Sequence, residues 1–90
     1  MDGISETASM IRLYPNPAQN GYTTLEFTAL TNETMQIRIY GADGKLHESK
    51  TFDAVTGDNK CVLNLQQYSG GVYWIEISTQ TAVHRMQLLK

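Results

Sequence analysis

Seven short stretches of this 90-residue chain alternate apolar and polar side chains with a period of two, and turn residues separate each from the next. That period belongs to β-strands with one buried face, and no stretch sustains the 3.6-residue period of a helix. Strands are expected at residues 10–14, 22–28, 34–40, 45–52, 60–65, 72–78 and 82–90. Their apolar members give the candidate core: Leu25 and Phe27; Met35, Ile37 and Ile39; Leu46 and Phe52; Cys61, Leu63 and Leu65; Tyr73, Ile75 and Ile77; Met86 and Leu88.

The punctuation agrees with this pattern. Pro15 and Pro17 lack backbone donors and restrict Tyr14 and Asn16, so the first strand is expected to stop at Pro15. Asn20-Gly21 and Asp43-Gly44 tolerate the positive φ of tight hairpin turns. Thr31, Asn32 and Glu33 read as a turn, as do Thr79, Gln80 and Thr81. Residues 53–59 read as a polar loop around Gly57, and residues 66–71 as a connector of about one helical turn closed by Gly70 and Gly71. Seven short strands at this spacing predict an all-β fold, an immunoglobulin-like sandwich of about seven antiparallel strands in two sheets. A single cysteine, Cys61, rules out the Cys–Trp–Cys arrangement of antibody domains and any internal disulfide. Its plainest role is that of a small core hydrophobe.

The length suits one domain. Residues 1–9 are expected to be a flexible polar leader or linker and residues 10–90 the folded domain. No basic, apolar signal peptide opens the sequence. Met1 before a polar run reads as a polar leader, or as the start of an excised piece whose export signal would lie on a longer natural chain.

Charge and motif content exclude most chemistries. A formal net charge of −2 is wrong for a nucleic-acid binder, and no apolar run approaches the roughly 20 residues that span a bilayer. The two histidines, His47 and His84, fall in separate strands. Glu48, beside His47, points to the opposite face of its strand. Asp53, Asp58 and Asn59 lack the dense oxygen spacing of a calcium loop. Gly70-Gly71 is not followed by the helix a phosphate cradle requires. No catalytic residue, metal site or cofactor is expected, and the chain reads as a non-enzyme.

Three local motifs remain, in a fixed order. Leu13-Tyr14-Pro15-Asn16-Pro17 comes first. The alternating strand to Tyr40 with its Gly44-Lys45 turn comes second, and Gly71-Val72-Tyr73 with the strand after it third. A last apolar and basic stretch runs His84-Arg85-Met86-Gln87-Leu88-Leu89-Lys90. In this order and spacing, over about residues 10 to 90, the chain resembles the C-terminal sorting domain (the type A secretion tail) of the type IX secretion system of Bacteroidetes. It departs from that pattern in its doubled glycine at 70 and 71 and in a single Arg85 where the tail more often has two basic residues.

The resemblance implies an address label at the end of a cargo protein, exported through the periplasm to the outer membrane, cell surface or exterior. Its implied partners are the outer-membrane translocon and a sortase-like peptidase. The peptidase would cut upstream of Leu13, within residues 3–9, and leave the cargo attached to the surface. Some family members keep the domain instead. The expected recognition signal is Arg85, Met86, Gln87, Leu88, Leu89 and Lys90. The motif residues are Tyr14, Pro15, Asn16, Pro17, Gly44, Lys45, Gly71, Val72 and Tyr73. A terminal strand at a sheet edge can pair with a receptor strand or with a second copy of itself, giving an edge-strand homodimer when isolated. Direct membrane insertion is not expected.

A different class of function competes with this one: an immunoglobulin-like module that binds carbohydrate or protein through Trp74, Tyr40 and Tyr22. Trp74 lies on the opposite face of its strand from Tyr73, and packing is its plainer role. A planar row of exposed aromatics would favour the binding module. A structural spacer and an enzyme are more remote readings.

Overall fold

All seven alternating stretches form strands: β1 (Ala8–Gln19), β2 (Tyr22–Ala29), β3 (Glu33–Gly41), β4 (Leu46–Ala54), β5 (Gly57–Asn64), β6 (Val72–Ser78) and β7 (Val83–Leu89). The computed structural model describes residues 8–80 and 82–90. The strands pair antiparallel in two sheets, ordered β1-β2-β5 and β4-β3-β6-β7. This is the expected immunoglobulin-like sandwich, with no helix among the described residues.

The period-two pattern decides the packing. Thr23, Leu25, Phe27 and Ala29 on β2 face Met35, Ile37 and Ile39 on β3 and Tyr73, Ile75 and Ile77 on β6 across the interior. Leu13, Leu63, Leu65 and Leu88 complete the core, and Cys61 and Met86 pack against it half-buried. Phe27 meets Phe52 edge to face, with ring centroids 5.9 Å apart. Asn20 (φ 55°) and Gly21 (φ 82°) form a two-residue hairpin between Gln19 and Tyr22, the mirror-image turn that matches strand twist.

Several local expectations are corrected. The first strand does not stop at Pro15 but continues to Gln19. It is an edge strand, so the two missing donors break no inner ladder, and a register shift between Tyr14 and Gln19 absorbs the distortion. Leu46 is exposed rather than inward. Ile39 pairs with Glu48 while Tyr40 pairs with Leu46, so His47 is an extra residue, and this bulge turns Leu46 to the outer face beside Tyr40.

The polar loop at 53–59 is mostly strand. Only Val55 and Thr56 link β4 to β5, and buried Asn59 folds that link. Asn59 accepts from the Val55 N–H (2.9 Å) and donates to the Val55 (2.8 Å) and Gly57 (2.9 Å) carbonyls. The connector at 66–71 holds a turn, closed by Tyr68 N–H on the Leu65 carbonyl at 3.0 Å, and no helix.

Glu33 already belongs to β3. Of the leader, Ala8 and Ser9 lie in β1, paired with Ala29 and Thr28. Residues 1–7 and Thr81 lie outside the described residues.

Candidate functional site

An odd number of strands puts the two ends of the domain at opposite poles. Ala8 pairs with Ala29 at one pole. At the other lie the Asn20-Gly21 turn, the 41–45 turn, the 65–71 connector and Lys90. The motif segments thus converge on the pole that carries Lys90, and backbone contacts tie them together. The Leu65 N–H donates to the Gly21 carbonyl at 2.7 Å. Gly71 and Lys90 exchange both backbone bonds, at 3.2 and 2.8 Å. A Cβ on Gly21 would come within 2.6 Å of Gln66 Cγ, so that glycine also allows the connector's close approach.

The second turn follows the same logic. Gly44 (φ 86°) donates to the Gly41 carbonyl at 3.0 Å, and Asp43 Oδ1 accepts from the Lys45 N–H at 3.0 Å. Below it, His47, Tyr68 and Tyr73 stack with centroids 5.1 to 5.9 Å apart. Tyr68 Oη donates to Glu48 Oε1 at 2.9 Å. Burial, and then that bond, raise the Tyr68 phenol above its ordinary pKa. The Lys90 ammonium donates to the Tyr68 carbonyl.

β7 is an edge strand, and its register shows which groups it presents. The closed pair Gly71–Lys90 lies at one end of the ladder, and the Thr79 N–H donates to Ala82 at the other (2.8 Å). Antiparallel pairs alternate between these limits, so His84, Met86 and Leu88 aim their backbone polar groups at β6. Val83, Arg85, Gln87 and Leu89 aim theirs away from the sheet, where no strand of the described residues pairs. The Asn16 side chain reaches this edge. Asn16 Nδ2 donates to the Gln87 carbonyl at 3.0 Å, and Asn16 Oδ1 accepts from the Leu89 N–H at 3.0 Å.

The outer face of the same sheet carries a charged rung. Arg38, Glu76 and Arg85 are register partners across β3, β6 and β7. Glu76 is buried, and it accepts from Arg85 Nε (2.9 Å), Tyr40 Oη (3.2 Å) and Arg38 Nη1 (3.4 Å). Burial pushes its carboxyl up, but the bonds from Arg85, Tyr40 and Arg38 outweigh that and hold it below the usual carboxylate range.

A carboxyl lowered on folding contributes stability that is complete above its unfolded pKa and lost as pH falls through its folded one. The urea midpoint is therefore expected to drop between about pH 7 and about pH 3, and Glu76→Gln to drop by less over that range. Equal acid losses in the two proteins would contradict this.

Of the three candidate sugar-binding aromatics, the structure brings two together. Tyr40 and Trp74 are cross-strand neighbours, Arg85 lies over the Tyr40 ring at 5.6 Å, and Trp74 is 39% exposed. With Ala42 and Gly44 they line an open hollow of about 270 Å³. Tyr22 stands on the other sheet, so the three form no single row. Asp53 and Asp58 accept from Thr34 and Thr28 respectively, and no metal-binding group of His, Cys, Asp and Glu occurs among the described residues. No helix among them is long and apolar enough to cross a membrane.

The expected motif and signal residues fall on these features. Tyr14, Pro15, Asn16 and Pro17 are exposed on β1, where Arg12 lies over the Tyr14 ring at 5.1 Å. Gly44 and Lys45 form the exposed turn, while Gly71, Val72 and Tyr73 lead into β6. Arg85, Gln87 and Leu89 are exposed, Met86 and Lys90 half-buried, and Leu88 buried. Sequence reasoning missed the Asn16 contact and the burial of Glu76. The second was accessible: Arg38, Glu76 and Arg85 all stand at outward positions of neighbouring strands.

No curated protein matches the chain. Among solved structures, it is similar to a Bifidobacterium adolescentis GH3 beta-glucosidase at 14% identity and a TM-score of 0.46, over 91% of this chain and 17% of that one. Residues 12–90 match the family model described as the secretion system C-terminal sorting domain, and the chain belongs to that family, the C-terminal sorting domain of the type IX secretion system.

Proposed function

We propose that the terminal segment from Arg85 to Lys90 is the part of this sorting domain that the outer-membrane translocon reads, by strand pairing along the open edge of β7. Family membership implies a sorting signal, interaction with the secretion machinery, and export across the outer membrane to the cell surface or extracellular space. The observation that supports the finer reading is the edge itself. Val83, Arg85 and Gln87 direct backbone groups away from β6 on a side where no strand of the described residues pairs. An added strand would gain main-chain bonds there and take specificity from exposed Arg85 and Leu89.

The remaining steps follow the same reading. Cargo travels through the periplasm, and a sortase-like peptidase cuts the chain and attaches the cargo to the surface. Because Ala8 and Ser9 are paired in β1, we place the cut before Ala8. An address label needs no chemistry of its own, and we read the domain as non-catalytic.

The test is a reporter fused ahead of residues 1–90 and carrying a Sec signal, in a type IX-competent bacterium. Arg85→Ala is expected to reduce export, and the exported parent reporter to have a mass that places its end before Ala8. Undiminished export of Arg85→Ala would overturn the recognition step, and an exported mass retaining the domain would overturn removal. The hollow beside Tyr40, Trp74 and Arg85 supports a second reading, a carbohydrate- or protein-binding module.

A further inference from the structure

The opening motif and the terminal strand are 71 to 73 residues apart in sequence, yet they meet through one side chain. The Asn16 carboxamide donates to the Gln87 carbonyl and accepts from the Leu89 N–H, both at 3.0 Å. These are the bonds that one backbone residue of a parallel strand would make around Leu88. β1 and β7 do run in the same direction, along the side of the sandwich where their two sheets end.

The backbone of β1 is poorly suited to make these bonds itself. Pro15 and Pro17, on either side of Asn16, have no N–H to give. The Pro15 carbonyl is already taken by Thr23 Oγ1 at 2.9 Å. A side-chain amide supplies the donor that the prolines lack and an acceptor beside it.

We propose that Asn16 is a positioning residue of the sorting signal: it acts on export by holding Gln87 and Leu89 in place, and is not itself read by the translocon. This rests on the reading of Arg85 to Lys90 as the signal. Asn16 closes the upper part of the β7 edge, at the Gln87 carbonyl and the Leu89 N–H, and leaves the part from Val83 to the Gln87 N–H to an incoming strand. Aspartate keeps the acceptor for Leu89 and loses the donor to Gln87, and alanine loses both.

The experiment uses the whole 90-residue chain behind a reporter, as parent, Asn16→Asp and Asn16→Ala. Export is measured beside amide hydrogen exchange at Leu89, with Ile75 in the core as reference. In Asn16→Ala, exchange at Leu89 is expected to quicken at least about tenfold while Ile75 stays protected. Export is expected to fall in the order parent, Asn16→Asp, Asn16→Ala, following Leu89 protection. If Asn16→Ala fails to fold, the comparison of parent with Asn16→Asp still decides. Export that falls while Leu89 stays protected would mean the motif is read directly, and parent-level export from an unlatched variant would mean the latch is irrelevant. Either result overturns the proposal. Parent-level export of Arg85→Ala would instead overturn the signal reading, so the two failures are distinct.

Discussion

Leu88→Ala is expected to cost the domain about 2–5 kcal/mol. Leu88 is fully buried, near the end of an edge strand whose one strand partner is β6. A domain of this length has about 5–13 kcal/mol of stability in total, so the loss is a large share of it. Urea denaturation of the parent and the variant measures the effect directly. The neighbouring change Leu89→Ala, at a side chain 41% exposed, should stay within about 0.5 kcal/mol of the parent. Similar midpoints for Leu88→Ala and the parent would show that β7 is not part of the cooperative core. The contrast also bears on truncations: removing residues 85–90 deletes a core side chain along with the signal.

Gln87→Pro separates those two roles. The Gln87 N–H points away from β6, so proline there removes no ladder bond, and proline is tolerated where a strand's N–H side faces solvent. Met86, the residue before it, is already extended within β7, as a following proline requires. The melting temperature should therefore change little. An incoming strand, however, would lose a donor and meet a pyrrolidine ring at the centre of the edge. Export of a fused reporter is expected to fall by at least about tenfold, with Gln87→Ala close to the parent. A folded Gln87→Pro domain that exports normally would remove strand pairing from the account.

The strands and the core were legible because burial on one face forces period two, and the alternation of β2, β3, β6 and β7 was unambiguous. Mistakes arose where local chemistry depends on a distant neighbour. Two prolines normally end a strand, but β1 lies at an edge and needs no donors at those positions. Leu46 has the correct parity for the core, and only the bulge at His47, set by the pairing of β4 with β3, turns it outward. Asn59 looked like loop polarity until its three bonds showed it holding a two-residue link.

The candidate site divides in the same way. The motif residues were visible as local turns, and the signal as a mixed apolar and basic strand. Their convergence on one pole follows from strand count and pairing, and the clasp of Asn16 on β7 spans the two sheets, so no local pattern contains it. Glu76 shows the intermediate case: its partners stand on the same rung, legible once the order of β3, β6 and β7 is known.

The most direct measurement of the central claim is surface display of a Sec-targeted reporter fused to residues 1–90, in a bacterium with and without the type IX translocon. The account predicts reporter on the surface or in the medium only when the translocon is present. Reporter held in the periplasm of both strains would contradict the sorting role, leaving the β-sandwich in place and the Tyr40–Trp74–Arg85 hollow as the surface to pursue.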